Sequence, residues 1–111
     1  MAFRGDMNAL ILGALAEGPL HGYEIVRKIR NSGGAPKLSE GQIYPYLHKL
    51  EEAGYLEANW HTDTGAAPRR VYELTPSGRQ ELEKQRKEWK RFSESIASIL
   101  SIKPAKGGSN V

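Results

Sequence analysis

The chain has 111 residues, enough for one domain with a modest core. Sixteen Lys and Arg against thirteen Asp and Glu leave a net charge of +3, a mild tilt toward an anionic partner. The absence of cysteine excludes a disulfide framework and any thiolate metal or redox site and suits a reducing compartment, and no apolar run approaches the roughly 18 residues of a membrane span.

Near the N-terminus, "ALILGALA" imitates the apolar region of a signal peptide, with Ala14, Leu15 and Ala16 as a small-residue cleavage pattern. The run is short and Arg4 is answered at once by Asp6, so it reads instead as a core helix. Asp6 is expected to cap that helix, whose apolar set is Leu10, Ile11, Ala14 and Leu15, with Gly18 and Pro19 as its stop. Leu12 makes the helix apolar on more than one side, which implies neighbours on both flanks.

After "PLHG" a second helical pattern runs through Tyr23, Ile25, Val26 and Ile29, with Arg27, Lys28 and Arg30 outward, until "NSGG" ends it. Tyr23 is expected in the core and His21 at the helix entry. A third helix is announced by Ser39 and Gln42, a capping-box pair, and stopped by Gly54. Its Ile43, Leu47 and Leu50 share one face with Tyr46 at the edge. The opposite face carries Gly41, Gln42, Pro45, Lys49 and Glu52, with His48 at its margin. A helix serving only as core filler would not accept Pro45, which removes an amide donor and crowds a carbonyl.

From Tyr55 the period becomes two, with Leu56, Ala58 and Trp60 alternating with Glu57, Asn59 and His61. A second strand follows in Val71 to Leu74, and the "TDTGAAPRR" between them reads as a long, mobile hairpin tip. Thr75 and Pro76 then open a final helix expected to reach about Ile102. Its apolar positions Leu82, Trp89, Phe92, Ile96 and Ile99 recur every three to four residues around Gln85 on an otherwise charged helix, a seam suited to a partner.

This order is an α+β, mostly helical arrangement: a winged helix-turn-helix with a two-stranded wing and a long C-terminal dimerisation helix. It divides into residues 1–75 as a DNA-binding domain, 76–102 as the dimerisation helix and 103–111 as a flexible tail. In such a motif the second helix of the pair lies in the major groove and reads bases from its N-terminal turns. Gly41 would then permit close backbone approach, and Gln42 and the tyrosines would offer hydrogen-bonding tips. Arg69 and Arg70 at the base of the wing suit phosphate contact, with Lys37 and Lys49 as positioning charges.

Three stretches carry a resemblance: "ILGALAEGPLHGYEI" (11–25), "LSEGQIYPYLHKLEEAGYL" (38–56) and "PRRVYELTPSGRQEL" (68–82). They resemble the PadR-like transcriptional regulators, and in particular the short members with a single C-terminal helix. The resemblance implies a homodimeric, cytoplasmic winged-helix repressor that binds double-stranded DNA at an inverted-repeat operator and is released by a small aromatic ligand. It places DNA contact on Ser39, Gln42, Tyr44 and the wing arginines. It also puts Trp89 where a tryptophan pairs with its twin across the dimer around a flat ligand. Two readings of Trp89 stand, as ligand platform or as dimer-core aromatic. Gln85 and Arg86, in the turn before it, favour an anionic ligand over a hydrophobic one. Parallel and antiparallel packing of the last helices both stay open, because Gln85 sets no register by itself.

His21, His48 and His61 fall in different elements without carboxylate or cysteine spacing, which argues against a metal site, and no cofactor motif is present. No phosphate-binding glycine loop, nucleophile elbow or metal-ligand cluster points to an enzyme. The rival reading is a winged-helix protein-interaction module that reads no DNA.

Overall fold

A computed structural model describes residues 4–62 and 67–103, with side chains from residue 7 onward. The expected mobile part of the hairpin tip at 63–66 and the expected flexible tail from 104 lie outside the described residues. The element order is α1 (Arg4–Ala14), β1 (Leu20–His21), α2 (Gly22–Ser32), α3 (Glu40–Glu52), β2 (Leu56–His61), β3 (Arg69–Leu74) and α4 (Pro76–Leu100). Among the described residues no helix is long and apolar enough to cross a membrane.

Helix α1 begins before Asp6, which therefore sits inside it and does not cap it. A capping side chain states only a local preference, and here the backbone continues the helix upstream. Ile11 and Leu12 are adjacent in sequence and both fully buried, because α1 packs against α2 and α3 as well as α4. Enclosure on more than one side is what the apolar residues around this helix require. The Lys28 ammonium closes its end by donating to the Ala14 carbonyl at 3.0 Å.

The chain reverses at Gly18 and Pro19 and lays down β1, which pairs antiparallel with β3 through Leu20 with Tyr72 and His21 with Val71. The sheet is therefore three-stranded, in the order β1-β3-β2: the two-stranded wing expected from sequence is the β2–β3 hairpin, and β1 adds a third strand. A strand of two residues is too short to show any alternation. Only its partner half the chain away defines it.

Helix α3 is held at both ends by local chemistry. Ser39 Oγ accepts from the Gln42 amide and Gln42 Oε1 accepts from the Ser39 amide, a reciprocal capping box. At the other end Gly54 takes a left-handed φ of 85°, and the Tyr55 amide donates back to the Leu50 carbonyl at 3.0 Å. Ile43, Leu47 and Leu50 are buried, and together with Ile25, Val26 and Ile29 of α2 they join one core.

Helix α4 starts against the corner between α3 and β2. The Thr75 hydroxyl donates to the Gly54 carbonyl at 2.6 Å and accepts from the Gly78 amide at 3.0 Å, while the Thr75 amide donates to the Tyr55 carbonyl. Gly78 lies so close that a Cβ built there would stand 2.0 Å from the Tyr55 carbonyl oxygen. Leu82 follows on the same face and is only 5% exposed, part of the chain's own core. It was expected on the partner seam. One turn from the Gly78 contact, α4 still lies against the head, so this position is consumed within the chain. The helix ends at Leu100, with Ser101 in a left-handed conformation and the Ile102 amide returning to the Ala97 carbonyl.

Candidate functional site

The outward face of α3 is exposed along Gly41, Pro45, His48, Lys49 and Glu52. Pro45 interrupts the hydrogen-bond ladder on that face, so the loss falls toward solvent and the helix continues past it to Glu52. Ser39 and Gln42 serve the cap, but the cap uses only the amide oxygen of Gln42. Its NH2 group is not used by the cap and can donate to an external acceptor. Lys37 is exposed in the segment leading into α3, and Lys49 lies on the same flank as Gln42.

Tyr44 lies on the opposite flank of α3, facing the start of α2. A Cβ at Gly22 would stand 3.0 Å from its hydroxyl oxygen, so glycine at that position lets the ring lie across the helix start. Burial, and then the charge and hydrogen-bonding capacity of Glu40, hold the Tyr44 phenol above its ordinary pKa. It stays a neutral donor.

Tyr44, Arg69 and Arg70 line one cleft of about 830 Å³, together with His21, Tyr23, Arg27 and Trp60. Lys37, Ser39, Gln42 and Lys49 do not line it. The expected contact residues thus divide between the cleft and the far flank of α3. Tyr23, expected in the core, is 49% exposed, with the His21 ring stacked beside it and Arg27 over its face. It lies one residue inside α2, where the core-facing set is Ile25, Val26 and Ile29.

The two wing arginines differ. Arg69 Nη1 lies 3.1 Å from His21 Nε2. His21 also caps α2 by accepting from the Glu24 amide at Nδ1, and a neutral imidazole has one acceptor nitrogen. The ring accepts from one donor or the other, so Arg69 is only loosely held. Arg70 donates to Glu51 Oε2 at 2.8 Å, and its guanidinium lies 6.0 Å from the Trp60 ring centroid and 5.8 Å from that of Tyr72. Trp60, 64% exposed, was read from sequence only as part of an alternating strand. Its signal was the antiparallel pairing that sets it opposite Arg70.

A second cleft, of about 430 Å³, opens between α1 and α4 and is lined by Leu10, Gly13, Leu82, Gln85, Arg86 and Trp89. The polar groups there have partners: Gln85 donates to Glu81 at 2.9 Å and Arg86 pairs with Glu83. Trp89 is half-buried and meets Phe92 edge-on at 5.6 Å. Beyond it Phe92, Ile96, Ile99 and Leu100 are exposed, Ile99 by 79%.

The same architecture recurs in known proteins. The model of the transcriptional regulator PadR-like family matches residues 11–84. Transcriptional regulator Rv3488 of Mycobacterium tuberculosis is 33% identical over 93 residues, which cover 84% of this chain and 84% of that protein. The negative transcriptional regulator PadR of Bacillus subtilis is 36% identical over 73 residues, which cover 65% of this chain and 40% of that longer protein. Among solved structures, a PadR-like transcriptional regulator from Bacillus cereus superposes with a TM-score of 0.79 at 26% identity, covering 90% of this chain and 96% of the other. Bacillus subtilis PadR in complex with operator DNA superposes at 0.66 with 30% identity, covering 77% of this chain and 48% of that one. With the winged fold matched over nearly its whole length and the family pattern running from α1 into α4, the chain belongs to the PadR-like family, whose members are transcriptional regulators and not enzymes.

Proposed function

We propose that this chain is a homodimeric repressor that reads an inverted-repeat operator with α3 and the wing and releases it when a small aromatic ligand binds at the dimer interface. The observation that carries the reading is the outward face of α3, which no part of the chain's core uses and which is flanked by the arginine-bearing wing cleft. Residues 1–75 form the DNA-binding head, in which Lys37, Ser39, Gln42, Tyr44, Lys49 and Arg69 meet the duplex. Residues 76–102 dimerise through Trp89, Phe92, Ile96 and Ile99. A Bacillus subtilis relative crystallised with operator DNA supports the DNA partner, and a relative named as a negative regulator supports repression. Such a protein works in the cytoplasm.

Two heads set about one DNA turn apart, roughly 34 Å, meet two half-sites of opposite direction. The cleft beside Trp89 suits a flat ligand. Such a ligand releases DNA only if it binds the other geometry better, so ligand and operator weaken each other's binding reciprocally.

The test is binding of the purified dimer to DNA from upstream of its own gene, in a salt series, against a scrambled fragment. Tight binding to the upstream fragment alone, with log affinity falling by about 0.9 per neutralised phosphate for each unit of log salt, is the expected result. Equal, weak binding to both fragments would overturn the reading and favour a protein-interaction module.

A further inference from the structure

The structure assigns different work to two neighbouring arginines: we propose that Arg70 is a positioning residue that clamps the wing to α3 through Glu51, while Arg69 is the wing cation that meets phosphate. The proposal rests on the DNA-binding reading above.

Arg69 and Arg70 are consecutive on β3, so their side chains start from opposite faces of the strand although both reach the same cleft. Arg70 turns toward the helices. Its Nη2 is 2.8 Å from Glu51 Oε2, in the last turn of α3, and the Glu51 side chain is only 28% exposed. The guanidinium is bordered by Trp60, its partner across the strands, and by Tyr72, two residues along β3. One carboxylate and two ring faces therefore confine a single cation, each contact limiting where the others can go. Glu51 and Arg70 are 19 residues apart, and the whole of β2 and the hairpin tip lies between them. The pair thus ties the outer end of β3 directly to the reading helix.

Charge separates the two roles. A guanidinium already neutralised at 2.8 Å releases few counterions when DNA arrives. Among the described residues Arg69 makes no ion pair with a carboxylate; its neighbour is the His21 ring, whose Nε2 also lies 3.5 Å from Glu24 Oε1. Arg69 therefore keeps more of its charge for the duplex than Arg70 does.

The experiment uses the full-length dimer in the same salt series, with the variants Arg69→Ala, Arg70→Ala and Glu51→Gln. Arg69→Ala is expected to lower the salt slope by about one per protomer and to weaken binding to operator and scrambled fragments alike. Glu51→Gln, which keeps the shape and removes the charge, is expected to weaken operator binding by about three- to tenfold, while the freed Arg70 cation leaves the salt slope no smaller. In the free protein it is also expected to speed hydrogen exchange of the β2 and β3 amides while those of α1 hold. That second readout needs no DNA. Tighter binding of Glu51→Gln to both fragments would overturn the proposal, because Glu51 would then be only a negative charge near phosphate. So would an Arg70→Ala slope that falls as far as that of Arg69→Ala. Should Glu51→Gln not fold, Arg70→Lys keeps the charge and loses the planar fork, and unchanged operator affinity and wing exchange in that variant would equally sink the clamp. If the unaltered protein fails to tell operator from scrambled DNA, the DNA reading fails while the exchange result still judges the clamp.

Discussion

Two regions of this molecule show large aromatic or aliphatic side chains to solvent, and their surroundings differ. On the wing, Trp60 stands among Arg69, Arg70, Tyr44 and Tyr72, so each ring borders a cation or a polar tip. On the far half of α4, Phe92, Ile96, Ile99 and Leu100 are exposed on a helix whose remaining faces are charged. A cleft that sets arginines and two carboxylates among aromatic rings suits a polar, charged partner, to which it offers ion pairs and hydrogen bonds. An aliphatic stripe offers neither, and gains only by being covered with another apolar surface. The contrast teaches that exposure alone does not name a partner; the chemistry of the neighbours does.

The joint between the two regions is the place to break the comparison most severely. Gly78→Ala would drive a methyl into the Tyr55 carbonyl, 2.0 Å from the built Cβ, and neither backbone can yield without parting α4 from the α3 and β2 corner. The expected loss is about 3 kcal/mol of stability, read as a lower denaturant midpoint, with both regions failing together. A variant of ordinary stability would show the joint to be loose. The next effect isolates the α4 stripe: Phe92→Asp with Ile96→Asp is expected to yield monomers by sedimentation while the head keeps its fold. Operator affinity should then fall by about 100-fold or more, because two linked half-site contacts become independent ones. Monomers with undiminished operator affinity would separate dimerisation from DNA reading.

The smallest effect sharpens the wing side alone. Tyr44 is held above the ordinary tyrosine pKa of 10.0 by burial and then by Glu40. Tyr72 is held above it by burial, partly opposed by Arg70 and reinforced by Tyr44 and Glu51. In both cases the folded state favours the neutral phenol, so the unfolded chain loses its proton first as pH rises. Their contribution is fully present below about pH 10 and is lost as pH climbs through the raised folded values. Thermal unfolding measured across that window should show a decline that Tyr44→Phe makes shallower. An identical decline in that variant would remove Tyr44 from the account.

Much of the fold was legible because its signals are local. Ser39 and Gln42, Gly54, and Thr75 with Pro76 act across one turn of chain, and each sits where its pattern placed it. Leu12 announced its second set of neighbours by breaking a one-sided stripe, and Ile43, Leu47 and Leu50 announced the core face of α3. Tyr23 was misplaced because an aromatic at helical spacing looks like core wherever it lies. Leu82 was misplaced because the periodicity of α4 does not say how far along the helix the head still covers it.

The sequence by itself determined the order and kinds of the main elements, the caps that bound them and the apolar seam of α4, since these depend on residues three or four apart and on side-chain period. Only the tertiary structure decided that Leu20 and His21 join the sheet, that Tyr44 lies across Gly22, and that Arg70 pairs with Glu51 while its neighbour Arg69 meets His21. Those outcomes rest on contacts between residues about 20 to 50 positions apart, which no local pattern encodes and which arise only when the core brings α2, α3 and β3 together.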